Sequence, residues 1–188
     1  MKNSKIRRKN RKSNRLSQCH AAVIGAGGLG RQVAILLASL GVRHLSLYDP
    51  RIVSEKDMAD GFLDYDVGMP AVDAVANVAH QYHPQMELLT YHARFRRSHL
   101  TSWKPGLRHA VFLCSESAAT RKTHWQWVCH TAQFLCMGEV GTEAIKIVCS
   151  DQPAKRSLAP SYASQTGETP DVVTATLAAA LMVQQFSK

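Results

Sequence analysis

The sequence predicts one α/β domain in which a mainly parallel sheet carries helices on both faces. Two observations support this fold class. Short apolar runs alternate along the chain with longer segments whose apolar residues recur every three or four positions, and strands that alternate with helices pair in parallel. A chain of 188 residues with 45% hydrophobic content also suits one sizeable core better than two.

A glycine-rich turn separates the first predicted strand from the first predicted helix. Residues 21–24 form an apolar run closed by glycines, and residues 31–40 have helical spacing and end at Gly41, a typical helix C-cap. A second short strand is predicted at 44–48. It ends before Pro50, because proline cannot continue in the interior of a sheet.

The rest of the chain repeats this alternation. Residues 51–70 are polar and turn-rich, and residues 151–169 form a polar stretch long enough to indicate a functional or mobile loop. The same patterns predict helices at 71–82, 118–130 and 172–186 and strands at 86–91, 110–114, 133–137 and 144–149.

Positive charge is concentrated at the amino terminus. The formal net charge is +9, and residues 1–15 contain eight Lys and Arg side chains and no acidic residue. Residues 1–18 are therefore predicted to be a disordered basic arm, and residues 19–188 the folded domain. The arm is either a solubilising tail or a contact for an anionic partner such as nucleic acid. The nearly neutral remainder does not favour nucleic-acid binding.

Cysteine spacing and hydropathy restrict the cellular setting. The five cysteines are an odd number without a CxxC pair, which argues against a disulfide framework and against a zinc site. No apolar run approaches the roughly 20 residues of a membrane-spanning helix, and no signal-peptide pattern follows the basic arm. We therefore expect a cytoplasmic protein that does not associate with membranes.

A glycine fingerprint lies between the first predicted strand and helix. Gly25, Gly27 and Gly30 form the pattern GxGxxG, and Asp49 follows at the end of the next predicted strand. In Rossmann-like doubly wound domains, the first glycine makes the turn and the second admits phosphate. The third lets helix and strand pack closely, and the acidic side chain binds ribose hydroxyls. The free amides of the helix N-terminus favour a phosphate. The pattern predicts a nucleotide site without deciding between NAD and ATP.

Longer segments resemble the ThiF/MoeB/HesA family of ubiquitin-activating-type adenylyltransferases. The similar segments are VIGAGGLGRQVAILLASLGVRHLSLYDPRIV, DVGMPAVDAVA, VFLCSESAATRKTHWQWVCH and TATLAAALMVQQF. The resemblance covers about residues 21–186. It implies that ATP and Mg²⁺ are the cofactors and that the substrate is the carboxyl terminus of a ubiquitin-like or sulfur-carrier protein. It also implies that the chain forms a homodimer or a heterodimer with a related subunit.

The same resemblance assigns roles to single residues. Asp49 takes the ribose-binding position, Glu116 takes the position of a metal-linked carboxylate, and Arg121 is either a partner of Glu116 or a phosphate contact. Glu116 also has a simpler interpretation, as an acidic residue favoured near a helix N-terminus. Gly28 of the glycine loop and Lys56 of the following polar loop complete the set of predicted nucleotide-binding residues.

Three family positions carry different residues here. Ala71 stands where the family has its catalytic Lys, and Asp57 and Asp60 stand where it has Asn and Arg. Carboxylates in place of cations repel a triphosphate, so Lys56 or Arg51 would have to substitute, or a partner subunit would have to supply an Arg. Two alternatives to the adenylyltransferase therefore stay open. One is a catalytically inactive nucleotide-binding scaffold, and the other is an NAD-dependent oxidoreductase without a recognisable catalytic pair.

Other residues with functional potential are interpreted as structural. Arg94, Arg96 and Arg97 are assigned to a solvated rim, with an extension of the basic surface or an interface as the alternatives. Trp125 and Trp127 are assigned to ordinary packing, because alternate positions in a helix face different ways. The nine histidines include no set with a convincing third ligand, so no histidine metal site is expected.

Overall fold

A six-stranded sheet organises the part of the chain that the computed structural model describes, namely residues 16, 18–103, 105–115, 117–141, 144–152 and 171–188. The strands are β1 (Cys19–Ile24), β2 (His44–Tyr48), β3 (Glu87–Tyr91), β4 (Arg108–Leu113), β5 (Phe134–Val140) and β6 (Ile145–Ser150). Their order is β3-β2-β1-β4-β5-β6, with β6 antiparallel to β5 and every other pairing parallel. The predicted Rossmann-like, mainly parallel sheet is confirmed.

Helices cover both faces of this sheet. They are α1 (Gly28–Ser39), α2 (Ala71–Tyr82), α3 (Ala118–Val128) and α4 (Val172–Phe186). Side chains alternate between the faces along a strand, so Val23 of β1 packs with α1, α2 and α4, whereas Ile24 packs with α3 and the segment after β3. Both faces of the central strands are buried, which explains why those strands are apolar without alternation. The doubly wound arrangement agrees with the prediction.

The segment between β3 and β4 contains structure that the sequence patterns do not predict. It includes a short 3₁₀ helix at Arg97–Ser102, flanked by the buried side chains of Phe95 and Trp103. The polar loop after β2 likewise contains 3₁₀ turns at Glu55–Asp60 and Asp64–Asp66. These turns are too short to produce a helical period in the sequence.

One disulfide joins β5 to β6. Cys136 and Cys149 lie directly opposite each other in the antiparallel register, and their sulfurs are bonded. The spacing argument against disulfides was therefore wrong for this pair. A cross-strand pair is set by the register of two strands, and a search for CxxC motifs does not detect it.

Two predicted regions fall almost entirely outside the described residues, namely the basic arm at 1–18 and the polar loop at 151–169. The predicted cytoplasmic location is not tested by the structure. Of the helices that the structure describes, none combines the length and the apolar character that crossing a bilayer requires.

Candidate nucleotide-binding site

A cavity of about 650 Å³ opens where β1, β2 and β4 end. Its walls are the glycine loop after β1, the residues that follow β2, β3 and β4, and one side of α3 from Ala119 to Trp127. The strand order continues from β1 to β2 on one side and to β4 on the other. This edge is therefore the topological switch point, where open parallel sheets bind ligands.

The glycine loop owes its shape to the absence of side chains. Gly25 has a φ of +97° and donates its N–H to the carbonyl of Tyr48 at 2.8 Å; a Cβ at Gly25 would lie only 2.8 Å from the amide nitrogen of Ser115. A Cβ on Gly30 would overlap the carbonyl oxygen of Gly25. Gly25 and Gly27 line the cavity. The predicted roles of these glycines in turn formation and close packing fit this geometry.

The N-terminus of α1 faces this loop. Gly28 is the first residue of the helix, and Gly27, its N-cap, has no side chain with which to bond the helix amides. No acidic residue lies in the first turn. The amides and the positive end of the helix dipole are therefore directed at the glycine loop, which is an arrangement that favours an anion.

Asp49 follows β2 and is held in a fixed orientation. Its Oδ2 accepts a hydrogen bond from the amide of Ala26 at 2.7 Å, and its Oδ1 accepts from the amide and the Nε of Arg51 at 2.8 and 3.2 Å. The residue is 5% exposed and lines the cavity. A carboxylate can accept about four hydrogen bonds, so capacity for a ribose hydroxyl remains. The ribose role of Asp49 suits this geometry and stays a prediction.

Arg51, rather than Lys56, is the basic residue of the polar loop that reaches the cavity. The Arg51 guanidinium bonds Asp49 and also approaches Asp57 Oδ1 at 3.3 Å, and Arg51 is one of the lining residues. Lys56 is exposed on the 3₁₀ turn and does not line the cavity. The structure gives no contact that supports nucleotide binding by Lys56.

Two positions that depart from the family pattern, Asp60 and Ala71, have different surroundings. Asp60 lies against Gly28, since a Cβ built on Gly28 would be 2.7 Å from the Asp60 Oδ1. Ala71 is buried at the start of α2, and its amide donates to the carbonyl of Arg51 at 3.0 Å. A carboxylate therefore stands beside the anion-attracting end of α1, and no side-chain cation comes from residue 71.

Arg121 is buried in an ion pair beneath the loop that joins β4 to α3. Its Nη2 donates to Glu139 Oε1 at 2.8 Å, and its Nη1 donates to the carbonyl of Ser115 at 2.6 Å. Arg121 is 3% exposed and Glu139 is 9% exposed. Glu116 lies outside the described residues, so its predicted metal role and its pairing with Arg121 are not tested. The visible contacts make Arg121 a support for the cavity wall at Ser115.

The segment after β3 adds two arginines that the sequence patterns assigned to a solvated rim. Arg94 and Arg96 line the cavity, whereas Arg97 does not. Strand order is the information that would have indicated these two arginines. Because β3 is parallel to β2 and pairs with it, the residues just after both strands lie at the same edge of the sheet. This information requires knowing which strands are neighbours.

An aromatic wall completes the cavity. Phe95, His124 and Trp127 line it, and the Phe95 ring lies 5.5 Å from that of His124 and 6.3 Å from that of Trp127. Burial lowers the pKa of His124, so this imidazole is neutral at pH 7. The assignment of Trp127 to ordinary packing is incomplete, because this side chain also lines the cavity.

Among the residues that the structure describes, this edge of the sheet holds neither a metal cluster nor a reactive thiol. Within the described ranges, no group of three or more His, Cys, Asp or Glu side chains could hold a metal ion. Cys114 lines the cavity, but burial raises the pKa of its thiol well above the ordinary value, so this sulfur is a poor nucleophile.

Comparison with known proteins agrees with this architecture. The model of the ThiF family matches residues 4–143. Among curated protein sequences there is no significant match.

Several solved structures share the fold. A crystal structure of E. coli MccB with MccA-N7isoASN has a TM-score of 0.71 at 15% identity, and that of SeMet PaaA has 0.69 at 18%. A structure of E. coli MccB with ATP has a TM-score of 0.68 at 14% identity. In all three cases 94% of this chain is covered and 57% of the other, so the chain spans little more than half the length of these proteins.

Proposed function

The chain belongs to the ThiF family, and from this premise we propose that it is an ATP-binding domain that adenylates the carboxyl terminus of a ubiquitin-like or sulfur-carrier protein. In this reaction a carboxylate oxygen of the substrate attacks the α-phosphorus of ATP. The bond from the α-phosphorus to the bridging oxygen breaks, pyrophosphate leaves, and an acyl adenylate is formed. The catalytic contribution of such a site is to position two anions that repel each other and to neutralise the developing charge.

One observation carries the proposal. The glycine loop, the anion-attracting end of α1 and the buried Asp49 carboxylate all face one cavity of about 650 Å³ at the switch point of the sheet. Phosphate at the loop and ribose hydroxyls at Asp49 would satisfy these groups together. The aromatic wall formed by Phe95, His124 and Trp127 offers an apolar surface for the base.

Mg²⁺ enters the proposal as the ion that ATP carries on its phosphates. The residues visible in the structure do not form a metal site by themselves, so no catalytic step is assigned to the ion. Glu116 remains its proposed protein ligand. Asp49 is a poorer choice, because its two oxygens already accept bonds from Ala26 and Arg51.

The electrostatics also support a second candidate, a nucleotide-binding scaffold without catalysis. Asp60 places a carboxylate beside Gly28, and Ala71 contributes no cation. The Arg121 guanidinium is engaged with Glu139 and with the carbonyl of Ser115. Charge from Mg²⁺ or from an Arg of a partner subunit, with which we propose that the chain forms a dimer, would offset the repulsion between Asp60 and the β- and γ-phosphates.

Two measurements on the full chain separate the candidates. ATP is titrated by calorimetry with and without Mg²⁺, and exchange of labelled pyrophosphate into ATP is followed in the presence of a protein that ends in Gly-Gly. Adenylation predicts saturable binding and exchange that depends on the protein substrate. Binding without exchange would leave the scaffold. Tight NAD binding that ATP does not displace would replace both with an NAD-binding function.

Substitution of Asp60 tests whether its carboxylate repels the phosphates of ATP. Asp60→Asn removes a charge beside Gly28 and should tighten ATP binding about tenfold, because a like charge near the phosphates costs on the order of 1 kcal/mol in a partly solvated site. The effect should shrink for AMP, which has no β- or γ-phosphate. Asp64→Asn, on the same loop but exposed and away from the cavity lining, is the matched control. Equal changes for ATP and AMP would contradict this account of the loop.

A further inference from the structure

The segment that follows β3 is fixed directly beside Asp49. β2 and β3 pair in register up to Tyr48 and Tyr91, whose rings stack with centroids 4.6 Å apart. Beyond the strands, the amide of Asp49 donates to the carbonyl of Tyr91 at 3.2 Å, and His92 Nε2 lies 2.9 Å from the carbonyl oxygen of Pro50. Because β2 lies between β3 and β1 in the sheet, this segment stands on the side of Asp49 opposite to the glycine loop.

Successive side chains of this extended segment point alternately into the core and outward. Phe95 is 3% exposed and packs edge-on against Tyr48, with ring centroids 5.0 Å apart. Arg96 has the extended φ and ψ values of −131° and 155°, and both Arg94 and Arg96 are exposed while lining the cavity. Neighbours on either side of an inward side chain point the same way in such a chain. Phe95 therefore anchors a pair of guanidinium groups at the rim of the cavity.

These two guanidinium groups carry charge that the visible acids do not neutralise. In the described part of the chain, no ion pair joins Arg94 or Arg96 to a carboxylate, whereas Arg51 pairs with Asp49 and Asp57. Three arginines and one aspartate leave a formal charge of +2 on the described lining. Guanidinium forks match the geometry of phosphate oxygens, and such charge-assisted bonds are among the strongest hydrogen bonds in proteins.

We propose that Arg94 and Arg96 form a second anion subsite, which binds a phosphate group on the 2′ or 3′ oxygen of the ribose. This inference rests on the proposed nucleotide binding and names the class of ligand, a ribose-phosphorylated nucleotide. With the 5′-phosphate at the glycine loop and the ribose at Asp49, a substituent on a ribose hydroxyl extends toward β3. Arg51 pairs with the Asp49 carboxylate, which reduces the repulsion between Asp49 and this second phosphate.

The test compares three nucleotides that share adenosine 5′-phosphate. The dissociation constants of 5′-AMP, 2′,5′-ADP and 3′,5′-ADP are measured by calorimetry on the full chain at low and high NaCl. We expect at least one bisphosphate to bind about tenfold more tightly than 5′-AMP, since one hydrogen bond to a charged group is worth about 1.5 kcal/mol or more. The isomer that binds more tightly identifies the ribose oxygen. Salt should reduce the preference, because the subsite is exposed.

Variants assign the preference to the two arginines. Arg94→Ala and Arg96→Ala should each lower the ratio of bisphosphate affinity to 5′-AMP affinity severalfold, and Arg94→Lys should retain part of it because the charge is kept. Arg97→Ala removes an equal charge from the next position, which does not line the cavity, and should leave the ratio unchanged. Arg94, Arg96 and Arg97 are all exposed, so these substitutions should not impair folding.

The outcomes distinguish this inference from the proposed function. Bisphosphates that bind no more tightly than 5′-AMP would overturn the subsite while leaving nucleotide binding intact. The subsite is also overturned if Arg97→Ala lowers the ratio as much as Arg94→Ala, since the effect would then be general charge. Failure of all three nucleotides and of ATP to bind would overturn the nucleotide site itself, and the subsite with it.

Discussion

Removing either member of the Arg121–Glu139 pair should destabilise the protein far more than removing both. The two groups are 3% and 9% exposed and meet at 2.8 Å. Breaking a buried ion pair by deleting one partner costs about 3–5 kcal/mol, because the other charge is left uncompensated. Arg121→Met and Glu139→Leu should each fall in this range. In Arg121→Met/Glu139→Leu neither charge of this pair is stranded, and the Ser115 carbonyl that loses its hydrogen bond costs about 1–3 kcal/mol.

The assay is a double-mutant cycle. Free energies of unfolding are obtained from urea titrations followed by far-UV circular dichroism, with two-state behaviour checked by the constancy of the slope. The double variant should be more stable than either single variant, and its loss should be smaller than the sum of the two single losses by at least about 2 kcal/mol. Additive losses would refute this expectation, because the two groups would then act as independent, solvated charges.

Three further predictions concern the glycine loop, the polar loop and the response to pH. Gly30→Ala should cost at least about 3 kcal/mol of unfolding free energy, because its Cβ would overlap the Gly25 carbonyl. Gly41→Ala has open space and only a positive φ to overcome, so it should cost about 1–2 kcal/mol; equal losses in the same urea titrations would argue against the steric account. Arg51→Ala should weaken ATP binding about tenfold, while Lys56→Ala changes it less than twofold in calorimetry. A larger loss of ATP affinity in Lys56→Ala than in Arg51→Ala would instead support Lys56 as the nucleotide-binding residue. Because burial lowers the pKa of His124, the unfolded chain takes up a proton first on acidification. Burial of His124 should therefore cost no unfolding free energy through protonation above about pH 6.5. The free energy of unfolding should fall as the pH drops toward the lowered pKa of His124 in the folded protein. His124→Phe should flatten the change in melting temperature between pH 7.5 and 5.5, and parallel profiles would contradict this.

Much of the fold follows from local pattern. The predicted helix at 172–186 has the observed limits, and the strand predicted at 44–48 does as well. These elements are determined by apolar spacing and by breakers such as Pro50, which act within a few residues. The glycine loop is equally local, since steric exclusion at Gly25 and Gly30 is a property of one turn. Such features can be predicted from a sequence without knowing its partners in space.

What the sequence patterns missed depends on contacts between distant segments. Arg94 and Arg96 join the cavity only because β3 lies beside β2. The Cys136–Cys149 bond depends on the register of β5 against β6. Neither of these arrangements produces a period in the sequence.

The burial of Phe95 has a consequence for how the rim of this cavity can change by mutation. Phe95 anchors the segment in the core, while its two neighbours, Arg94 and Arg96, carry the charge at the rim of the cavity. Substitutions at exposed positions such as Arg94 and Arg96 usually change the free energy of unfolding by less than about 0.5 kcal/mol, whereas truncation of a buried Phe costs several times more. Mutation can therefore alter or erase the charge of this rim without passing through a poorly folded intermediate. The charge at this edge of the sheet can therefore change at two exposed positions at little cost in stability, whereas the ring that supports them is costly to replace.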